Sequence, residues 1–469
     1  MEHSMIAEGL SVQINELTQK QRDFFASGQT KDVKFRKEQL IKLKNVVSKH
    51  EKDFIEALHK DLRKHEFEAY ATEIGFILIE LKKAIQNVEK WSKPRSVPTP
   101  LFHFNGSSYI HPEPYGMTLI ISPWNYPFQL LFAPLIGAMA AGNTAVLKPS
   151  EFAPATSALI AAVMADNFDD KYIAVVEGGV AESKALLEEK FDYIFFTGGT
   201  NVGRLVYQAA AKHLTPVTLE LGGKSPCIVD RDTNISLTAK RIVWGKFVNA
   251  GQTCIAPDYI LVDKSVKEQL VAKMIEYIKK SYGSDAGSSN FYPRIVNKTH
   301  HRRLSSYLSE GKIIYGGTAN EDDLYIEPTI MENPEVDANI MNDEIFGPIL
   351  PIIEYDNISD AIKFVNNKQK PLALYVFSKD EKKVQKILHE TSAGGVTVND
   401  TLLHIANPHL PFGGVGESGI GAYHGQSSFD VFSHMKSVLR RTFLVDDPVR
   451  YAPYKINISW LKKLMDWTL

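Results

Sequence analysis

FDYIFFTGGTNVGRLVYQAAAKH, residues 191–213, joins an uninterrupted apolar run (Tyr193 to Phe196) to a turn holding Gly198 and Gly199 and then to a helix from Val202. A strand with one wet face alternates polar and apolar residues, so an unbroken run implies a strand covered on both faces. Backbone N–H groups at such a strand–turn–helix junction can face a phosphate. Gly198, Gly199 and Gly203 do not spell G-x-G-x-x-G, however, and an ordinary tight turn suits the same residues.

Outward from this segment the pattern repeats. MTLIIS (117–122), TAVLK (144–148), YIAVVEG (172–178) and PVTLEL (216–221) are short apolar runs separated by helical stretches at 130–141, from Ala155, and near Lys184. That alternation predicts a parallel, doubly wound sheet. Further strands expected at 227–229, 259–262, 349–354 and 374–377 imply a second α/β unit. The first ninety residues read as helical, with amphipathic stretches at 35–59 and 70–91. The Pro-rich segment 94–116 that follows favours a crossing linker with short strands.

The 469 residues suffice for two or three folded units. With 53 basic against 55 acidic residues, the whole-chain charge gives no footprint for nucleic acid or an acidic membrane. No apolar run reaches the ~18 residues of a membrane span. Two cysteines and a start without the basic and apolar regions of a secretory signal suit a reducing cytoplasm. The 14 histidines form neither an H-x-x-x-H pair nor a Cys/His cluster, so no metal is expected, and His300 and His301 read as a polar helix start.

Several residues carry chemistry in their setting, and each also has a plainer reading. Cys254, in FVNAGQTCIAPDY, is flanked by loop formers and reads as a loop thiol, whereas Cys227 in KSPCIVD reads as an inert core residue. Glu220 ends a strand, where burial would raise its pKa for general-base work and exposure would make it a surface acid. Asn125, held between Pro123 and Pro127, offers a rigid amide donor or an Asx turn. Lys148 and Glu151 place a cation and an anion at the carboxyl edge of the expected sheet, suited to ribose hydroxyls or simply to solvent and the first turn of the next helix. Glu344 precedes Phe346, whose ring suits a flat heterocycle or the core.

Taken in order, PWNYPF, AAGNTAVLKPSE, FTGGTNVG, LELGGKSP, GQTC, DEIFGP and LPFGGVGESG resemble the motifs of the aldehyde dehydrogenase superfamily. SGQTKDVKFRKEQL near the start and YHGQSSFDVFSHMKS near the end resemble its class 3 branch, whose members favour apolar fatty or aromatic aldehydes and are typically dimeric. The resemblance implies Cys254 as nucleophile, Glu220 as the base that activates water, and Asn125 with the Cys254 N–H as the oxyanion site. It implies NAD as cofactor, with NADP tolerated: Lys148 and Glu151 on the adenosine ribose, the turn from Gly198 through Gly199 to Gly203 by the pyrophosphate, Glu344 on the nicotinamide ribose, and Phe346 behind that ring. Where the family often has Ser after FTG this chain has Gly199, which leaves backbone contacts to phosphate but no hydroxyl.

The implied fold is α/β: a Rossmann-like cofactor domain (1–90 and 113–219), a catalytic domain (220–413), a small β bridging and oligomerisation arm (91–112 and 414–450), and a tail (451–469). Partners implied are an aldehyde and a second copy of the chain. A coenzyme A-acylating enzyme, a cysteine hydrolase and a non-catalytic binding protein are the competing readings. Glu220 opposes the first, the lack of a His close in sequence to Cys254 the second, and the full residue set the third. The tail ISWLKKLMDWTL sets Trp460, Leu461, Leu464, Met465 and Thr468 on one helical face, suited to peripheral membrane contact, to capping a substrate entrance, or to docking on the protein's own body.

Overall fold

The computed structural model describes residues 2–100, 103, 105–444, 446 and 450–468. Its first sheet runs in the order Ile173–Val175, Thr144–Lys148, Met117–Ile121, Tyr193–Thr197, Val217–Glu220, Gly419–Ile420. All neighbours are parallel except the last pair. The strands Thr144–Lys148 and Tyr193–Thr197 are buried along their whole length, which is why they read as continuous apolar runs. Strand order reverses at Met117–Ile121, and in a doubly wound sheet that switch point opens a crevice at the carboxyl ends. Asn125, the Gly198 turn and Glu220 all leave the sheet at this edge.

The second sheet has seven strands in the order Lys312–Tyr315, Thr329–Glu332, Ile349–Tyr355, Tyr259–Asp263, Pro226–Val229, Ala373–Phe377, Gly395–Val398, with only the first pair antiparallel. Residues 221–225 lead directly from the carboxyl end of Val217–Glu220 to the amino end of Pro226–Val229. This short link makes the two edges abut. Cys254 and the 343–348 segment precede strands of the second sheet, so they arrive at the junction from its other side.

A third, antiparallel sheet joins Arg95–Val97, Gly106–Pro114 and Ser433–Arg441. The stretch expected in the arm from residue 414 divides. Gly419–Ile420 edges the first sheet beside Glu220, the helix Gln426–Val431 packs on the helix Gln129–Ala141, and only Ser433–Arg441 joins the arm strands.

The helices follow the sequence with two local departures. The periodic stretch 35–59 is two helices, Val33–Lys49 and Glu51–Leu62, broken at His50 (φ −101°, ψ 17°). The stretch from Tyr70 opens with a π-helical turn, Tyr70–Ile74, before the α-helix Gly75–Trp91. Gln129–Ala141 is buried on every side, as its lack of a polar face requires.

The tail forms the helix Ile458–Thr468, but the described side chains from 451 to 466 are exposed, Trp460 and Met465 among them. The side chains of Leu464 and Thr468 lie outside the described set. Among the described residues no helix is long and apolar enough to cross a membrane, and no cluster of His, Cys, Asp and Glu is placed to hold a metal.

Candidate active site

Cys254 reaches the junction on a constrained loop. The helix Ile235–Phe247 ends in a short turn, Val248–Gly251, in which Asn249 (φ 52°) and Ala250 (φ 51°) adopt the left-handed conformation that L residues disfavour. The buried Gln252 holds that turn through three bonds: its amide donates to the carbonyls of Asn249 (3.0 Å) and Arg294 (2.9 Å), and its oxygen accepts from the N–H of Val296 (3.0 Å). Cys254 itself is half-buried. Burial pushes its thiol well above the usual range, and the nearby carboxylates of Glu344 and Glu220 push it further. Cys227 is fully buried in the strand Pro226–Val229.

Glu220 is 3% exposed and neither carboxyl oxygen has a hydrogen-bond partner among the described residues. Desolvation raises its pKa well above the carboxylate range. Register places it beside Thr197, and its backbone carbonyl accepts from the Gly198 N–H at 3.0 Å, which ties the Gly turn to the carboxyl-bearing strand end. Asn125 is also buried, and its amide nitrogen donates to the Gln252 carbonyl at 2.9 Å. One N–H anchors the amide to the loop of Cys254. The second remains for another acceptor.

Two cavities meet at these groups. One, of about 220 Å³, is walled by apolar side chains including Phe76, Leu130, Trp244, Leu402 and Phe412. The other, of about 230 Å³, is lined by Trp124, Asn125, Gly198, Gly199, Gly222, His300, Arg303, Glu344 and Phe346. Cys254, Glu220 and Thr197 belong to both walls.

The second cavity carries groups suited to the pyrophosphate and the nicotinamide end of a dinucleotide. Gly199 caps the helix Thr200–Ala211, and a side chain added there would enter open space, so the helix N-terminus is clear for a phosphate. Glu344 has a buried oxygen without a partner, and burial, reinforced by Asp258, raises its pKa to about 8. Its carboxylate lies over Gly222 so closely that a Cβ there would stand 1.9 Å from an oxygen. Phe346 adopts φ 50° and packs edge-on against Trp124 with ring centroids 5.3 Å apart. Strain of that kind collects at sites where a side chain must be aimed.

Other expected residues stand differently. Gly203 lines neither cavity, and a Cβ there would meet Leu221 at 2.6 Å, so a glycine lets the helix pack close to that side chain. Lys148 and Glu151 come together, 4.0 Å apart, but outside both cavity walls. The Lys148 ammonium donates to the carbonyls of Pro149 (2.8 Å) and Gly178 (2.6 Å), and burial lowers its pKa. Glu151 lies in a turn ahead of the helix Pro154–Asn167, not in its first turn.

Thr197, Trp124, His300 and Arg303 also line the second cavity, although their sequence settings do not mark them as site residues. Asn297 caps the helix Lys298–Tyr307, and the three-residue spacing puts His300 and Arg303 on one face, toward the cleft. Burial, then Arg303, lowers the His300 pKa to about 4. That spacing was the available signal.

A crevice at the switch point of a parallel sheet, ending on a thiol and an unpaired carboxyl, defines a nucleotide-dependent enzyme with covalent chemistry at hand. The chain belongs to the aldehyde dehydrogenase family, whose family model matches residues 4–438. It is 51% identical over 441 residues to the 4,4'-diaponeurosporen-aldehyde dehydrogenase of Staphylococcus aureus (94% of this chain, 96% of that one). It is 45% identical over 442 residues to the dimeric NADP-preferring aldehyde dehydrogenase of Canis lupus familiaris (94% and 98%). Among solved structures, the substrate-bound state of Staphylococcus aureus AldH superposes with a TM-score of 0.94 at 49% identity, covering 96% of this chain and 99% of that one. The chain is an NAD(P)-dependent aldehyde dehydrogenase.

Proposed function

We propose that the enzyme oxidises apolar aldehydes, long-chain, isoprenoid or aromatic, to the acids through a thioester on Cys254. The observation that carries this reading is the position of the thiol and the partnerless Glu220 carboxyl where the apolar cavity meets the dinucleotide cleft.

Once the Cys254 thiol has lost its proton to solvent, the thiolate attacks the aldehyde carbon, and the carbonyl oxygen takes up the negative charge. Asn125, through its remaining N–H, and the Cys254 backbone N–H stabilise that charge. Bound NAD(P) supplies the hydride acceptor. Collapse of the tetrahedral adduct leaves the acyl group on sulfur, and Glu220 then takes a proton from water so that hydroxide attacks the thioester carbon and the thiolate departs. Glu344 would hold the nicotinamide ribose, Phe346 the ring, the Gly198–Gly199 turn the pyrophosphate, and Lys148 with Glu151 the adenosine ribose. An enzyme that handed its acyl group to coenzyme A would have no work for Glu220.

In this reading residues 1–90 and 113–219 carry the cofactor, 220–413 the nucleophile, and the arm a homodimer interface. The fold works in a reducing cytoplasm, with the exposed tail residues Trp460 and Leu461 suited to loose contact with a membrane surface.

The walls of the apolar cavity predict the substrate trend. Each methylene buried there is worth ~0.8 kcal/mol, so kcat/KM should rise about fourfold per carbon in a series of straight-chain aldehydes until the cavity is filled. A flat or falling series with both NAD and NADP would refute the apolar assignment.

Glu151 sets a second expectation. A carboxylate facing the ribose repels a 2′-phosphate while the adjacent Lys148 attracts it, which accounts for use of NAD with NADP tolerated. Glu151→Gln should raise the ratio of NADP to NAD efficiency by roughly fivefold, the effect of ~1 kcal/mol between charges in a wet site. An unchanged ratio would place the ribose elsewhere.

A further inference from the structure

We infer that the buried ion pair Lys64–Glu73 positions the oxyanion donor Asn125, an inference that rests on the donor role proposed above. Both side chains are fully buried and paired with each other. Neither touches the reacting atoms.

The backbone delivers them to this place by two irregularities. Arg63, the left-handed cap of the helix Glu51–Leu62 (φ 53°), turns the chain just before Lys64. Glu73 lies in the π-helical turn Tyr70–Ile74, and such wide turns gather at functional sites. Ala71 and Thr72 of the same turn line the apolar cavity beside Cys254.

The pair grips the segment 123–129 at two points. The Lys64 ammonium donates to the Asn125 carbonyl at 2.8 Å and stands 4.1 Å from the centre of the Tyr126 ring. The free Glu73 oxygen accepts from the N–H groups of Phe128 (3.0 Å) and Gln129 (3.2 Å), at the start of the helix Gln129–Ala141. The Asn125 carbonyl also accepts from the Asn249 amide at 2.9 Å, and Tyr126 bonds Thr253 at 2.7 Å, so the same segment is coupled to the loop of Cys254. A buried ion pair is poor evidence for stability, because lost hydration offsets its attraction and an apolar pair often does as well. Its distinctive product here is the carbonyl of Asn125 and the helix start three residues later, both fixed behind one side-chain amide. A displacement of ~1 Å at a reacting centre lowers a rate by about a hundredfold.

The test compares Lys64→Met in two backgrounds, wild type and Asn125→Ala, by the rate of NADH formation in a single turnover with saturating aldehyde. The positioning role predicts a loss of about tenfold or more in the wild-type background, with aldehyde KM within about twofold. In the Asn125→Ala background Lys64→Met should cost less than a further twofold, because the group it positions is gone. Should Lys64→Met fail to fold, the charge-free double variant Lys64→Met/Glu73→Gln makes the same comparison. Equal losses in both backgrounds, or none in the wild-type background, overturn the positioning role. If Asn125→Ala alone leaves the rate unchanged, the donor assignment falls and this inference with it. If Asn125→Ala slows the reaction while the Lys64 effect adds in full, only the positioning role falls.

Discussion

Cys254→Ala is expected to abolish aldehyde turnover, with a loss on the order of 10⁵-fold, while NAD binding and thermal stability stay near those of the parent. The size follows from removing the thiol, the strongest nucleophile in the wall shared by the two cavities, and with it the covalent step. Cys227 is the internal control. It is fully buried, desolvation pushes its thiol far up, and it lines neither cavity, so Cys227→Ala should keep the first-turnover rate of each folded molecule. Turnover above this level by Cys254→Ala, followed by NADH absorbance with aldehyde present, would remove the thiol from the mechanism.

Glu220→Gln should separate the two halves of the reaction. Hydride leaves before water is needed, so the variant should release NADH in a burst approaching one per active site and then turn over slowly, roughly 10² to 10⁴ below the parent. The structure also fixes the sign of the pH effect. Burial raises the Glu220 pKa, so its carboxyl is held protonated above the usual carboxylate range and gains its capacity as a base only as pH rises. Parent turnover should therefore climb with pH as Glu220 ionises, and the residual turnover of Glu220→Gln should lack that climb. A burst that slows along with steady-state turnover would show that Glu220 also takes the proton of the Cys254 thiol. Undiminished steady-state turnover would exclude it as the base.

Much of this site was legible in the chain because its signals are local. The buried strands read as unbroken apolar runs, and Glu220 and Asn125 sit directly at strand ends or between prolines, where placement at the sheet edge follows from the fold. Cys254 differed from Cys227 in its neighbours alone, a loop against a strand, and the structure keeps that difference.

What escaped the sequence depends on long-range packing. Lys64 and Glu73 look like two surface charges in a helical stretch, and only the left-handed Arg63 and the π turn send both inward to meet a segment some fifty to sixty residues on. Gly203 lies one turn into the helix Thr200–Ala211, where Leu221, just past the next strand, packs so close that a Cβ would stand 2.6 Å from it. Residues 419–420 lie in the stretch expected as arm but supply the antiparallel edge of the first sheet. A strand that short carries no periodicity to read.

The most direct test of the central claim is the mass of Glu220→Gln after mixing with NAD and a long-chain aldehyde and quenching in acid during the slow phase. The expected result is a near-stoichiometric increase equal to the acyl group in place of one thiol hydrogen, confined after digestion to the peptide that contains Cys254. Enzyme that has released its NADH yet carries no adduct, or carries it on Cys227, would contradict it.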